Sequence, residues 1–354
     1  MRILALTRYQ RLGSSSRVRF YQYFPYLEAH GCEIINAPFF NDGYVSNLYS
    51  GRKTSLPVIM KAYTIRIISL IRNKNIDLIW VEKEFLPWLP FLIESIFLSR
   101  KIPYVVDYDD AVFHRYDLHA NPIIRYFLGQ KIDNVMHHAT MVIAGNAYIA
   151  ERARTSNAHR IELLPSVVDV SQYAVKQPDA DGVFKIGWIG TPVTAKYLGL
   201  IHKALATTSQ ESPTRLVLVG AGSVPPAPDI LTELIPWTED IERSVNQKFD
   251  VGIMPLVDDP FERGKCGYKL IQYMAGGVPV IASPVGFNRE IVEPGVNGYL
   301  ANSPSEWLAS FRELRNNPQK RNKMGKTGRQ KAESLYNLHV TAPKLLELLK
   351  SAIR

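Results

Sequence analysis

The sequence predicts an α/β protein of two doubly wound, Rossmann-like domains facing each other across a cleft. Three observations predict it. Short apolar runs alternate with helical patterns from one end of the chain to the other, the signature of parallel βα units. A polar, aperiodic stretch divides that alternation in two. At 354 residues the chain exceeds the usual single domain, so two separate cores are expected. In the first half the apolar runs predict strands over Ile3–Thr7, Glu33–Ala37, Leu78–Glu82, Tyr104–Asp107, Met141–Ala144 and Ile161–Leu164. In the second half they predict Lys185–Ile189, Leu216–Val219, Val251–Met254, Val278–Ala282 and Gly298–Leu300. The dividing stretch runs from Asp169 to Gly182, and a final helix is predicted from Thr341 to Ile353. This gives an N-terminal domain at 1–168, a linker at 169–183, a C-terminal domain at 184–340 and a closing helix at 341–354. Doubly wound domains bind ligands where strand C-termini meet helix N-termini, so the loops after the strands are the places to search.

Composition narrows the class. Hydrophobic residues at 46% and charged residues at 21% are ordinary for a globular protein. Two cysteines far apart, Cys32 and Cys266, form no metal or redox pattern and suit a reducing cytoplasm. The apolar start, Ile3 to Leu6, is too short for a signal peptide and reads as a first strand. No run reaches the roughly 18–20 apolar residues of a membrane span; Phe85–Leu98 is broken by Pro87, Pro90 and Glu94. A net charge of +9 asks for a negative partner. No nucleic-acid motif with stacking aromatics is present. A phosphorylated substrate and an anionic membrane surface remain. For the membrane, Lys61–Lys74 places Ile65, Ile68, Leu70 and Ile71 among basic residues, the pattern of an amphipathic helix lying on lipid at the inner face of the cell membrane. A helix packed on its own sheet has nearly the same pattern.

Residues 264–301 are the most informative segment. Gly264 and Gly267 open a predicted helix, Gly276-Gly277 end it, and the strand Val278–Ala282 follows. Lys265 and Lys269 stand at i,i+4, where like charges on one helix face repel by roughly 0.2–0.5 kcal/mol. They also stand at the positive end of the helix dipole. An anion between them and the helix N-terminus relieves both, so the element reads as a phosphate cradle; two solvated lysines on a surface turn are the plain alternative.

The run Gln272 to Ile281 and the later Asn297-Gly298-Tyr299-Leu300 resemble retaining glycosyltransferases of family four, with the GT-B fold. In that family an acidic residue, seven positions and a second glutamate precede a run like this one. Here Gly264 stands at the first glutamate and Gln272 at the second, the positions that hold donor sugar and ribose. After the strand ending at Ile189, the family's loop carries an arginine and a lysine that grip the donor diphosphate. Gly190 and Lys196 keep that spacing, with Thr191 at the arginine. The resemblance implies donor binding by Gly190, Thr191, Gly264, Gly267, Lys269 and Gln272, and catalytic roles for Asp109, Lys196 and Lys265. It implies an acceptor side formed by Gly13, Ser14, Arg17 and Glu84. The final helix would return to brace the first domain. A nucleotide-diphosphate sugar is the implied donor and a glycan or lipid-linked molecule the acceptor, in polysaccharide or glycolipid synthesis. No cofactor or metal is implied. A sugar-nucleotide epimerase of the same fold and a catalytically silent binding subunit are the alternatives.

Asp107-Tyr108-Asp109-Asp110 follows a predicted strand. Three readings stand in order: contact with the donor sugar through Asp109, a structural turn or cap, and a hard-cation site. No side chain stands out as a covalent nucleophile.

Overall fold

The computed structural model describes residues 1–52, 54–73, 75–98, 102–177, 181–222 and 230–353. It divides into two compact units. The first takes Met1–Ser166, Arg263–Cys266 and Leu338–Arg354; the second takes Val167–Glu262 and Gly267–Asn337. Arg263–Cys266, assigned on sequence to the C-terminal domain, thus belongs to the first unit.

The first unit is built on β1 (Arg2–Leu6), β2 (Glu33–Asn36), β3 (Leu78–Glu82), β4 (Tyr104–Tyr108), β5 (Met141–Ala144) and β6 (Ile161–Leu163). They form one parallel sheet in the order β2-β1-β3-β4-β5-β6. β3, β4 and β5 are buried along their whole length, which is why they read as unbroken apolar runs. The edge strands β2 and β6 are only half covered.

The second unit repeats the plan with β7 (Phe184–Ile189), β8 (Thr214–Val219), β9 (Leu231–Ile235), β10 (Val251–Met254), β11 (Val280–Ala282) and β12 (Gly298–Leu300). Their order is β12-β11-β10-β7-β8-β9, again all parallel. β9 escaped the sequence reading. It is an edge strand whose Leu231 and Leu234 face solvent beside Thr232 and Glu233, so burial leaves no apolar run to find. β11 starts two residues late because Val278 donates its amide back to Tyr273 O at 3.0 Å and Pro279 has no amide.

Both sheets are wound outward in two directions from one strand. The chain leaves β1 for β2 and returns past it to β3; it leaves β7 for β8 and returns past it to β10. At such reversals the connections diverge and open a crevice at the strand C-termini. In the second unit β7 and β10 pair only through Ile186 and Gly187. Beyond that point the Tyr273 hydroxyl enters the gap, accepting from Ile189 N at 2.9 Å and donating to Ile253 O at 3.4 Å.

The stretch read as a linker is not a loose tether. Val170–Gln172 form a 3₁₀ turn, Lys176 N donates to Gly276 O at 2.8 Å, and Arg329 donates to Tyr173 O at 2.7 Å, so this part lies on the second unit. Residues 178–180 lie outside the described residues. The closing helix runs Leu338–Ser351 in the first unit. There Thr341 and Tyr23 share a hydrogen bond of 3.1 Å, and Lys344 donates to Leu163 O on the edge of β6.

The stretch 61–74 forms most of the helix Leu56–Arg72, with Lys74 outside the described residues. Arg66 does not join a basic surface, as the amphipathic reading implied. It is 1% exposed and donates to the carbonyls of Thr7, Ala37 and Phe85, the loops after β1, β2 and β3. Burial lowers its pKa to about 10 against the opposing pull of Glu82. Arg66→Met keeps most of the stem but takes this donor from the Ala37 and Phe85 carbonyls, while Thr7 O keeps the Phe39 amide. At roughly 1–3 kcal/mol per unsatisfied group the loss from these two should be about 2–6 kcal/mol. Chemical denaturation checks it: a midpoint unchanged from the parent would mean the three loops are held by other contacts.

Candidate active site

In the second unit the loops after β7 and β8 pass unusually close. A Cβ on Gly220, whose φ is +73°, would lie 2.3 Å from Gly190 O. A Cβ on Gly190 would lie 2.4 Å from the Trp188 ring and 2.7 Å from Lys269 Nζ. Glycine at 190 therefore lets the Lys269 ammonium reach the crevice. Lys269 Nζ is 4.3 Å over the Trp188 ring and donates to Thr194 Oγ1 at 3.3 Å. Thr194 in turn accepts from Thr191 N at 3.2 Å, which fixes the turn that opens the helix Pro192–Ala195. Lys196 follows, exposed, with its ammonium 5.0 Å over the Tyr197 ring. Gly190, Thr191 and Lys269 thus come together, with Lys196 on the same loop.

The helix Tyr268–Ala275 starts later than the glycine-rich loop suggested. Gly267 has a φ of +61°, and a Cβ there would lie 2.2 Å from Ile291, so this residue turns the chain and caps the helix. The consequence corrects the lysine reading. Lys269 lies in the first turn of the helix, but Lys265 lies before the helix in the segment that belongs to the first unit. The two do not share a helix face, and the repulsion argued from i,i+4 spacing does not arise. Gln272, one turn on, is 1% exposed; its Nε2 has no hydrogen-bond partner among the described residues. An unpartnered buried amide is costly, about 1–3 kcal/mol, unless something supplies an acceptor.

Sequence reasoning missed a second group in this unit. Glu242 is buried, accepting from Trp237 Nε1 at 2.6 Å and from the Tyr268 hydroxyl at 3.3 Å. Glu262, also buried, accepts from the Tyr197 hydroxyl. The contacts made by Tyr268 and Tyr197 join distant parts of the chain, so no spacing in the sequence announces them.

In the first unit the switch point between β1 and β3 is filled by ions. Arg8 pairs with Glu84 at 2.8 Å, Lys131 pairs with Glu84 at 2.6 Å, and Tyr116 donates to Glu84 at 2.8 Å. Burial pushes the Glu84 carboxyl up, but Lys131 and Arg8 outweigh it and hold it at about 2. Glu84 is thus committed to an internal network, with both oxygens engaged, and is not an open contact for an acceptor. Arg17 is likewise buried, donating to Arg11 O at 3.4 Å. Of the other acceptor-side residues, Gly13 sits where a Cβ would strike Tyr9, and Ser14 is exposed at the following turn.

Asp109 and Asp110 follow β4 and share one lysine. Lys83 Nζ lies 2.8 Å from Asp109 and 3.2 Å from Asp110. Lys83 holds a φ of +68°, a strained conformation for a non-glycine residue, of the kind that collects at functional sites. Burial raises the Asp110 carboxyl, but Lys83, Arg115 and Lys265 together bring it to about 2. Lys265 therefore acts on the Asp109-Asp110 turn. Its segment is anchored there: Asn146 donates to Gly264 O at 2.8 Å and to Lys265 O at 3.3 Å. A Cβ on Gly264 would lie 2.4 Å from that of Ala111. No glutamate fits at position 264, which gives the departure from the paired-glutamate pattern a steric cause.

Residues 183–317 match the family described as glycosyl transferases group 1. The fold is GT-B, as in solved structures that resemble the chain from end to end. HepE of Anabaena in complex with UDP superposes with a TM-score of 0.73 over 99% of this chain and 100% of that one, at 16% identity; HepE has also been solved with UDP-glucose. WaaG, a glycosyltransferase involved in lipopolysaccharide biosynthesis, gives 0.69 over 99% of both chains at 12% identity. In sequence the chain is 35% identical over 78 residues to the spore coat protein SA of Bacillus subtilis, a stretch covering 21% of each.

Lys269 carries the most specific expectation. If it grips a diphosphate, Lys269→Ala should weaken a nucleoside diphosphate by about 1.5–3 kcal/mol, tenfold or more, and leave the nucleoside nearly untouched. Calorimetric titration with both ligands decides; equal losses for the two would sink the assignment.

Proposed function

We propose that the chain is a retaining glycosyltransferase, moving a sugar from a nucleotide-diphosphate donor to an acceptor hydroxyl. One observation carries the reading. At the split ends of β7 and β10, Gly190, the Thr194 hydroxyl and the Lys269 ammonium come together, and the unpartnered Gln272 amide lies three residues further along the same helix. Positive charge and open donors beside a helix N-terminus suit a diphosphate, and a lone amide donor suits a ribose or sugar hydroxyl. The family match covers the same residues, and HepE, of like fold, has been solved with UDP and UDP-glucose, which makes UDP-sugars the first donors to try.

In this reading Lys269 and Lys196 meet the charge that grows on the departing diphosphate, the largest single term in such reactions. Thr191 adds a hydroxyl but no charge. Asp109, held by Lys83, and Lys265 serve the sugar side of the first unit. The lysines and backbone amides carry the electrostatic load without a metal. WaaG's part in lipopolysaccharide biosynthesis supports a polysaccharide or glycolipid product. Among the described residues no helix is long and apolar enough to cross a membrane.

Incubation with UDP-, GDP- and dTDP-sugars, with and without EDTA, tests the proposal. The expected result is transfer to an acceptor glycan, or slow donor hydrolysis, undiminished by EDTA. An epimerised sugar nucleotide would make the chain an epimerase, and binding without turnover would make it a silent subunit. Activity lost in EDTA and restored by Mn²⁺ would turn Asp107 and Asp109 into metal ligands.

A further inference from the structure

At the C-terminal ends of β3 and β4 one buried ammonium serves two carboxylates that reach solvent. Lys83 is 3% exposed, whereas the side chains of Asp109 and Asp110 are 16% and 21% exposed. Elsewhere in this unit Arg8, Arg19 and Lys131 pair with Glu84, Asp107 and Glu94, all of them buried. Those pairs hold loops together. Lys83 instead directs its charge outward.

The backbone is strained to put the ammonium there. β3 and β4 run in register through Glu82 and Asp107, and Lys83 N donates to Asp107 O at 3.1 Å. The turn that follows takes Lys83 to a φ of +68°, which glycine adopts freely and lysine does not. Glycine would make this turn without strain, so what the lysine adds is its side chain. The strain is kept for the ammonium.

The two carboxylates depend on it unequally. Lys83 Nζ donates to Asp110 Oδ2 at 3.2 Å. Burial opposes ionisation of Asp110, but Lys83, Arg115 and Lys265 hold its carboxyl at about 2. Asp110 thus has two further cations at hand. For Asp109, Lys83 is the one cation within ion-pair distance among the described residues, at 2.8 Å. Asp107 stands close enough for the two negative charges to oppose each other. The oxygen that meets Lys83 is Oδ1, buried and without a hydrogen bond among the described residues. Charge alone anchors Asp109 there, which leaves Oδ2 to face outward.

We propose that Lys83 is a positioning residue for sugar transfer. By drawing Asp109 Oδ1 inward it turns Oδ2 out to accept from a hydroxyl of the donor sugar, while Asp110 holds the ammonium in place. The assignment rests on the glycosyltransferase reading, in which Asp109 meets that sugar.

A double-mutant cycle on the full chain tests it, using the sugar nucleotide turned over in the donor panel and its bare nucleoside diphosphate. Lys83→Met should lower kcat/KM about tenfold or more, the scale of one charge-assisted contact. Affinity for the nucleoside diphosphate, which lacks the sugar, should stay as in the parent. Lys83→Arg restores the charge and should recover part of the loss. The decisive arm starts from Asp109→Asn. In that background Lys83→Met should cost less than about twofold more, since Lys83 acts through Asp109. Should Lys83→Met not fold, Lys83→Gly replaces it, because glycine suits a φ of +68°. Losses that multiply in the double variant overturn the proposal, because a merely structural lysine would act whether or not Asp109 is present. So do a Lys83→Met chain as active as the parent, a Lys83→Arg chain no better than Lys83→Met, and a matching loss of nucleoside diphosphate affinity. Nucleotide binding with no donor turned over removes the functional reading and this inference with it. Turnover with multiplying losses removes this inference alone.

Discussion

Reversal of winding at one strand is the constraint on which the rest of each unit depends. A parallel sheet needs crossovers of one hand, so strands added on opposite sides of β7 send their connections to opposite faces. No crossover then runs over the C-terminal ends of β7 and β10, and the backbone groups freed there need partners. Tyr273 supplies one hydroxyl that serves both strands. The loops around it close in only because positions 190 and 220 lack a Cβ. Lys269 reaches the crevice through the space Gly190 leaves, and Gln272 is left with a buried donor unused. The chemistry proposed for the second unit follows from that topology rather than from any one motif.

The same reversal in the first unit is resolved with charge. Arg8, Glu84, Lys131 and Glu94 form a buried chain of ion pairs at 2.8, 2.6 and 3.1 Å. Such networks seldom add net stability, because desolvation offsets the attraction. What this one supplies is position. Glu94 accepts from Leu86 N at 2.7 Å and Lys131 donates to Leu86 O at 2.6 Å, so the loop after β3 has both backbone groups held. Burial leaves Glu94, at the end of the network, raised to about 7, while two cations keep Glu84 at about 2. The loop carrying Lys83 and Trp88, two residues with positive φ, is braced from behind by this network. Strained conformations persist where surrounding contacts over-determine them.

How much of this was legible follows from which signals are local. Buried central strands such as β3 to β5 are continuous apolar runs and were found; β9, an edge strand with leucines in solvent, was not. The loop at Gly190 and Lys196 stood out because its glycine and lysine keep the spacing of the family the sequence resembles. The lysine pair misled because helix periodicity was extended across Gly267, whose left-handed backbone ends it. Glu84 looked open in sequence and proved to be the centre of an ion network, because Arg8 and Lys131 come from distant positions. Glu242 and Tyr268 carried no signal for the same reason, being joined by tertiary folding alone.

The central claim is that an anionic diphosphate is held by the loop after β7 and the first turn of the helix Tyr268–Ala275. Hydrogen–deuterium exchange with and without UDP reads those amides directly. The account expects slowed exchange at 190–196 and 268–272, with uridine giving far less. Protection confined to other segments, or equal protection by uridine, would contradict it.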